Sequence, residues 1–138
     1  MKPYEVIDHT ADIGLRIYGR TLEELFIHAA TGLFDLITSA DAIPAEKDIS
    51  FQLKGENAGD LLLQWLREWL FIFSTGHWVF KSVSFQKLSD KELTAVAACG
   101  QFDPKRHEQR NEVKAVTYHQ FKLEKQKSGW VAEVIFDI

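Results

Sequence analysis

The chain has 138 residues, with 16 Lys and Arg against 20 Asp and Glu, which gives a formal net charge of −4. Hydrophobic residues make up 46% and charged residues 26% of the sequence, a balance typical of a folded domain and not of a disordered segment. An acidic chain repels phosphates, so the composition argues against direct nucleic-acid binding. The single cysteine, Cys99, excludes an internal disulfide and a multi-cysteine metal cluster.

The sequence carries no sign of a membrane or secretory segment. The first residues contain no apolar stretch of the kind that a secretory signal needs. The most apolar segment, residues 61–73, is interrupted by Gln64, Arg67 and Glu68 and is too short to cross a bilayer. We therefore expect a cytoplasmic protein without membrane contact. With no repeat and no linker, residues 1–138 are expected to form a single domain.

In the first half of the chain, the sequence predicts three strands and two helices. Apolar residues at every second position predict strands at residues 4–8, 13–18 and 48–53. Thr21 and Glu24 have the spacing of a capping box, which predicts a helix from there to about residue 38. A second helix is predicted from Asn57 or Asp60 through Phe73. Its apolar residues cover nearly the whole circumference, which predicts a central helix buried on most sides, under a sheet and the first helix.

The second half of the chain predicts strands only. Residues 78–88 and 92–102 flank a tight turn, and residues 113–125 and 130–138 flank another, so each pair predicts an antiparallel hairpin. The polar, proline-containing stretch at 103–111 is expected to be a loop. Because the strands cluster after the helices, we predict an α+β fold in which a largely antiparallel sheet packs against two helices.

The sequence contains no nucleotide-binding loop, nucleophile elbow or zinc-protease motif. Its candidate chemistry lies at Asp12, in a small polar stretch between two predicted strands, and at the chain end, where Asp137 precedes the carboxylate of Ile138. Like charges brought together repel unless a cation neutralises them, and oxygen donors suit Ca²⁺, Mg²⁺ or Mn²⁺. Periodicity does not bring Asp12 next to Asp137, so the residues alone favour the plainer interpretation, in which Asp12 is a turn residue and Asp137 a frayed terminal charge. Lys114, at the start of a strand expected to pair with the last one, is either a surface lysine or the local counter-charge.

Several separated motifs, in the right order over the whole length, resemble the archease family. They are Y-E-x-x-x-H-T-A-D-I-G at residues 4–14, T-L-E-E-L-F at 21–26 with G-L-F-D at 32–35, D-P-x-x-H-E at 103–108, E-V-K-A-x-T-Y-H at 112–119, and the terminal D-I at 137–138. The resemblance implies an archease-like α+β domain. It also implies a non-enzymatic cofactor that activates an RtcB-type RNA ligase in tRNA splicing and RNA repair. Such activators promote the GTP-dependent guanylylation of the ligase and its multiple turnover.

The same resemblance implies site residues. The metal-binding positions of the family correspond to Asp12, Asp137 and Ile138, the last through backbone oxygen, and the residues needed for ligase activation correspond to Asp12, Lys114 and Asp137. The implied cofactor is a divalent cation, Mg²⁺ or Mn²⁺ in function, for which Ca²⁺ would stand in within a crystal. No catalytic residue is implied.

Two alternatives remain open from the sequence. One is a small metal-dependent phosphodiesterase or nucleotide hydrolase that uses the same carboxylates, with His9 or His119 as the base. The other is a general chaperone-like binding module that holds clients on exposed aromatic residues near Trp65, Trp69 and Trp78. Burial of these tryptophans would count against the second.

Overall fold

The computed structural model of the chain describes residues 2–8 and 12–138. For Asp8 it describes only the backbone. Two helices and seven strands make up the fold. In chain order they are β1 (Tyr4–Asp8), β2 (Asp12–Gly19), α1 (Leu22–Ile37), β3 (Lys47–Lys54), α2 (Ala58–Gly76), β4 (Trp78–Leu88), β5 (Glu92–Gln101), β6 (Ala115–Gln126) and β7 (Gly129–Asp137). The predicted α+β class is confirmed.

The strands form two sheets where the sequence predicted one. A four-stranded sheet has the order β1-β2-β7-β6, and a three-stranded sheet has the order β3-β5-β4. Every pairing among the described strands is antiparallel, and both predicted hairpins, β4–β5 and β6–β7, are present. The first sheet joins the two ends of the chain, because β2 pairs with β7.

Both helices begin where side chains cap them. Thr21 accepts a hydrogen bond from the backbone N–H of Glu24 at the start of α1, and Asn57 accepts one from Asp60 at the start of α2. The Glu24 carboxylate accepts from the N–H of Arg20, one residue earlier than in a standard capping box. Helix α2, predicted through Phe73 with its close near Gly76, ends at Gly76 and is followed by His77, which takes the left-handed conformation with φ 59°.

The core lies between the two sheets and the helices, and Trp65 and Trp69 of α2 are at its centre. Both indole rings are fully buried and lie edge-on to each other, with ring centroids 5.6 Å apart. The expectation that α2 is buried on most sides holds for its first three turns and is wrong near its end. Phe71 is 61% exposed there.

Candidate functional site

The functional candidates lie where β2 begins and β7 ends. In the antiparallel register of these strands, Asp12 is paired with Asp137, so the two residues that sequence analysis singled out are direct cross-strand neighbours. Side chains of directly paired residues leave the sheet on the same face. Asp12 is partly buried and Asp137 is exposed. We call this pair, together with Ile138, the acidic strand end.

The register that pairs the two aspartates is fixed by the opposite face of the sheet. Ile13, Leu15 and Ile17 of β2 alternate with the outward residues and point into the core. They lie opposite Phe136, Val134 and Ala132 of β7, which are fully buried. A slip by one residue would turn both apolar rows outward, so burial of the core holds Asp12 against Asp137.

A polar network on the outward face supports the same register. Arg16 donates to the Glu5 carboxylate at 2.9 Å and reaches Glu133 at 3.5 Å, while the Tyr18 hydroxyl donates to Glu5 at 2.7 Å. Hydrogen bonds from Lys2, Tyr18 and Arg16, in that order of importance, lower the pKa of Glu5 to about 2. The network therefore ties β1, β2 and β7 together four residues from the acidic strand end.

Lys114 is joined to the acidic strand end through the backbone. Its N–H donates to the carbonyl oxygen of Asp137 at 2.7 Å, and the next residue, Ala115, is paired with Asp137. The Lys114 side chain lines a cavity beside α2 together with Arg67 and Phe71. The predicted pairing of this strand with the last one is confirmed, and the role of the lysine as a counter-charge stays a prediction.

The residues at the acidic strand end fit a hard divalent cation. Two carboxylates at paired positions concentrate negative charge, and the backbone of Ile138 follows directly with further oxygen. No group of three or more His, Cys, Asp or Glu residues suited to a metal occurs within residues 2–8 and 12–138. A cation here would therefore keep several water ligands and bind weakly on the isolated chain.

The other candidates from the sequence fall outside this site. His9, with Thr10 and Ala11, lies outside the described residues. His119 is exposed in β6. Cys99 is fully buried, and burial raises the pKa of its thiol to about 12, as expected for an inert core cysteine. Trp65 and Trp69 are buried, which removes two of the three tryptophans from the chaperone alternative.

Sequence reasoning missed one group of residues. Arg67 of α2 stacks on Tyr118 of β6, beside the exposed ring of Phe71. The spacing of apolar residues did not single out Phe71, because every apolar residue of a helix that is apolar on all sides is predicted to be buried. In the sequence, Tyr118 was marked only as part of the E-V-K-A-x-T-Y-H motif at residues 112–119.

The fold and the acidic strand end define a small α+β protein in which the second and last strands of the chain share a carboxylate pair. Residues 4–138 match the Archease protein family (MTH1598/TM1083). The chain belongs to the archease family.

The relatives agree with this assignment over their full length. The chain is 38% identical over 139 residues to a protein archease of Methanopyrus kandleri, with 99% of each covered, and 39% identical over 142 residues to that of Pyrococcus furiosus, with 100% of each covered. The solution structure of protein 1598 of Methanobacterium thermoautotrophicum has a TM-score of 0.83 at 35% identity and 100% coverage of both chains. These relatives are not named for an enzymatic activity.

A more distant structure shares the fold alone. The crystal structure of a Thermotoga maritima archease, described as a possible chaperone, has a TM-score of 0.67 at 24% identity, with 96% of this chain and 94% of that one covered. In the described part of this chain, neither helix has the length and apolar character needed to span a membrane.

Proposed function

We propose that this chain is a non-enzymatic protein cofactor that activates an RtcB-type RNA ligase, by promoting its GTP-dependent guanylylation and multiple turnover. Membership of the archease family supports the proposal. The observation that carries it is the pairing of Asp12 with Asp137, with Lys114 hydrogen-bonded to the same strand end. These are the three positions that the family resemblance implies for ligase activation.

The proposed action is to bring a divalent cation and two carboxylates to the ligase. A site that binds GTP and RNA is electropositive, so an acidic strand end is attracted to it. There, Asp12, Asp137 and the backbone oxygen of Ile138 would hold Mg²⁺ or Mn²⁺. When bound there, such a cation would supply positive charge to phosphate oxygens during nucleotidyl transfer. The role of the chain's own residues is to orient that ion on a rigid pair of strands.

The test is a guanylylation assay on the ligase of the same organism with GTP and Mn²⁺, with and without this protein. We expect Asp12→Ala, Lys114→Ala and Asp137→Ala to abolish the stimulation, while their circular dichroism and melting temperature remain those of the wild type. Asp48→Ala, at an exposed position of β3, is the control and should stimulate fully. Full multiple turnover with the three folded variants would refute the proposal.

The same assay without ligase separates the enzymatic alternative. A hydrolase would release phosphate or cleave RNA when the purified chain is incubated with GTP or RNA and Mn²⁺ alone. We expect no turnover under these conditions. Turnover that is lost in Asp12→Ala and Asp137→Ala would instead identify a metal-dependent hydrolase.

A further inference from the structure

A shallow cavity of about 300 Å³ lies between the second half of α2 and the start of β6. Arg67, Phe71 and Ser74 line it from the helix, and Lys114 and Val116 line it from the strand. Its lining contains two cationic side chains and, among the described residues, no carboxylate. Lys114 connects this cavity to the acidic strand end through the backbone, since its N–H donates to the carbonyl oxygen of Asp137.

Two of the four exposed large hydrophobic side chains in the described part of the chain lie at or beside this cavity. Phe71, which lines it, is 61% exposed, and Tyr118, which contacts Arg67 of the lining, is 63% exposed. Val6, which is 49% exposed, lies in β1 at the opposite edge of the sheet. Ile138, at the acidic strand end, is 39% exposed. Exposed rings grouped on one surface mark a place where another molecule removes them from water. We call Arg67, Phe71, Lys114 and Tyr118 the Arg67 patch.

Arg67 is held in place before any partner arrives. Its guanidinium lies 4.3 Å from the centroid of the Tyr118 ring, donates to the Tyr118 hydroxyl at 3.1 Å and reaches the carbonyl of Val116 at 3.5 Å. A guanidinium has five N–H donors, so most of them stay available to an incoming acceptor. A side chain that is already ordered loses little conformational entropy on binding.

The backbone of β6 is bent to present Tyr118. Thr117 is opposite Ile135 and Lys122 is opposite Glu133, so four residues of β6 face the single Val134 of β7. Within this bulge Gln120 has φ 53°, a conformation that costs a residue with a Cβ about 1 kcal/mol or more. Bulges of this kind redirect side chains, and here the bulge turns Tyr118 towards Arg67.

We propose that the Arg67 patch is a docking surface for the protein partner that the acidic strand end engages, and that it takes a partner carboxylate flanked by an apolar side chain. The inference rests on the proposed function, because it names a second contact of the same ligase. Two cations without a carboxylate favour an anionic partner group, and Phe71 with Tyr118 favours an apolar one.

Other occupants fit these charges less well. A single RNA strand also stacks on aromatic rings beside cations, but the chain has a net charge of −4 and its acidic strand end adjoins the patch. A second copy of this chain, docked patch to patch about a two-fold axis, would bring Arg67 and Lys114 against their own copies. A protein surface that carries a carboxylate would avoid both the repulsion of RNA phosphates by the acidic chain and the repulsion of Arg67 and Lys114 by their own copies.

The experiment measures binding and activation separately. Calorimetry gives the Kd between the chain and the ligase of the same organism, and the guanylylation assay gives the maximal stimulation at saturating chain. We expect Phe71→Ser and Arg67→Glu to raise Kd by about tenfold or more, as for central residues of an interface, with maximal stimulation retained. Arg67→Lys should fall between, because it keeps the charge and loses the planar stack on Tyr118. Lys91→Glu, in the exposed turn between β4 and β5, is the matched charge reversal and should bind as the wild type.

The outcomes distinguish this proposal from the one on which it rests. If the wild type stimulates the ligase and folded Phe71→Ser and Arg67→Glu bind it with unchanged Kd, the docking surface is refuted and the proposed function stands. If the wild type does not stimulate the ligase, both are refuted. RNA binding or self-association of the wild type that disappears in Phe71→Ser would overturn the assignment to a protein partner.

Discussion

Asp12 and Asp137 are neighbours across two paired strands, and like charges in such positions repel unless a cation lies between them. Asp12 and Asp137 lie on the outward face of the sheet, which also carries the polar network of Arg16 and Glu5, and not on the face that packs into the core. The pair therefore predicts a measurable affinity of the isolated chain for hard divalent cations.

Calorimetric titration with Ca²⁺ and with Mn²⁺ measures that affinity. Asp12→Asn and Asp137→Asn preserve shape and remove one charge each. We expect each to weaken binding by about tenfold or more, because even an outer-shell partner of a metal ligand is typically worth 10- to 100-fold in affinity. Asp48→Asn, on the exposed surface of β3, is the control. Equal cation affinity in all four proteins would show that the paired aspartates hold no ion.

At the scale of elements, β1 is held at the edge of the four-stranded sheet by a charged contact. Glu5 of β1 accepts hydrogen bonds from Arg16 and Tyr18 of β2, and these bonds, after the one from Lys2, lower its pKa from 4.5 to about 2. A carboxylate with a lowered folded-state pKa stabilises the fold above its unfolded pKa and loses that contribution as the pH falls through its folded value. The contribution of Glu5 is thus complete above pH 4.5 and disappears towards pH 2.

Thermal unfolding of the wild type and Glu5→Gln between pH 7 and pH 2 tests this. The melting temperature of the variant should be lower at neutral pH, and the difference should shrink between pH 4.5 and about 2, where the wild-type carboxylate is protonated. The exposed Glu46→Gln serves as the control for loss of a negative charge. A difference that is the same at every pH would mean that the charge of Glu5 has no part in holding β1.

The elements with local signals were the predictable ones. Capping by Thr21 and Asn57, alternation in the strands and short polar turns gave element bounds to within a few residues, because these are interactions of neighbours in sequence. The division into two sheets depends on which distant strands pair, and no local pattern encodes it. The bulge at Tyr118 could not be predicted for the same reason, because a bulge exists only relative to the strand it pairs with, here β7.

The candidate site was predictable only through resemblance to a family. Composition and spacing identified Asp12 and Asp137 as carboxylates of interest but favoured a turn residue and a frayed end, and only the family resemblance reversed that preference. Their pairing depends on the register of β2 with β7, which is set by burial of Leu15, Val134 and their neighbours over more than a hundred residues of separation. Phe71 was misplaced in the core because periodicity does not show where a helix loses its neighbours.

At the scale of the whole molecule, two local regions of opposite charge lie next to each other. The acidic strand end lies beside the Arg67 patch, on a chain whose net charge is −4. Such a pattern orients an approaching partner as well as attracting it, because the reversed orientation brings like charges together. The proposed association with an electropositive ligase site should therefore depend on ionic strength.

Stopped-flow mixing of the chain with the ligase at rising NaCl concentration measures this dependence. Between 0.1 M and 1 M salt the screening length falls from about 10 Å to about 3 Å, so we expect the association rate constant to fall steeply while the dissociation rate changes little. The double variant Asp12→Asn/Asp137→Asn should flatten the dependence more than Asp48→Asn/Asp90→Asn. Both double variants remove two negative charges, and only the first removes them from the acidic strand end. Equal flattening by the two would assign the steering to net charge alone, and an association rate that ignores salt would remove electrostatic steering from the mechanism.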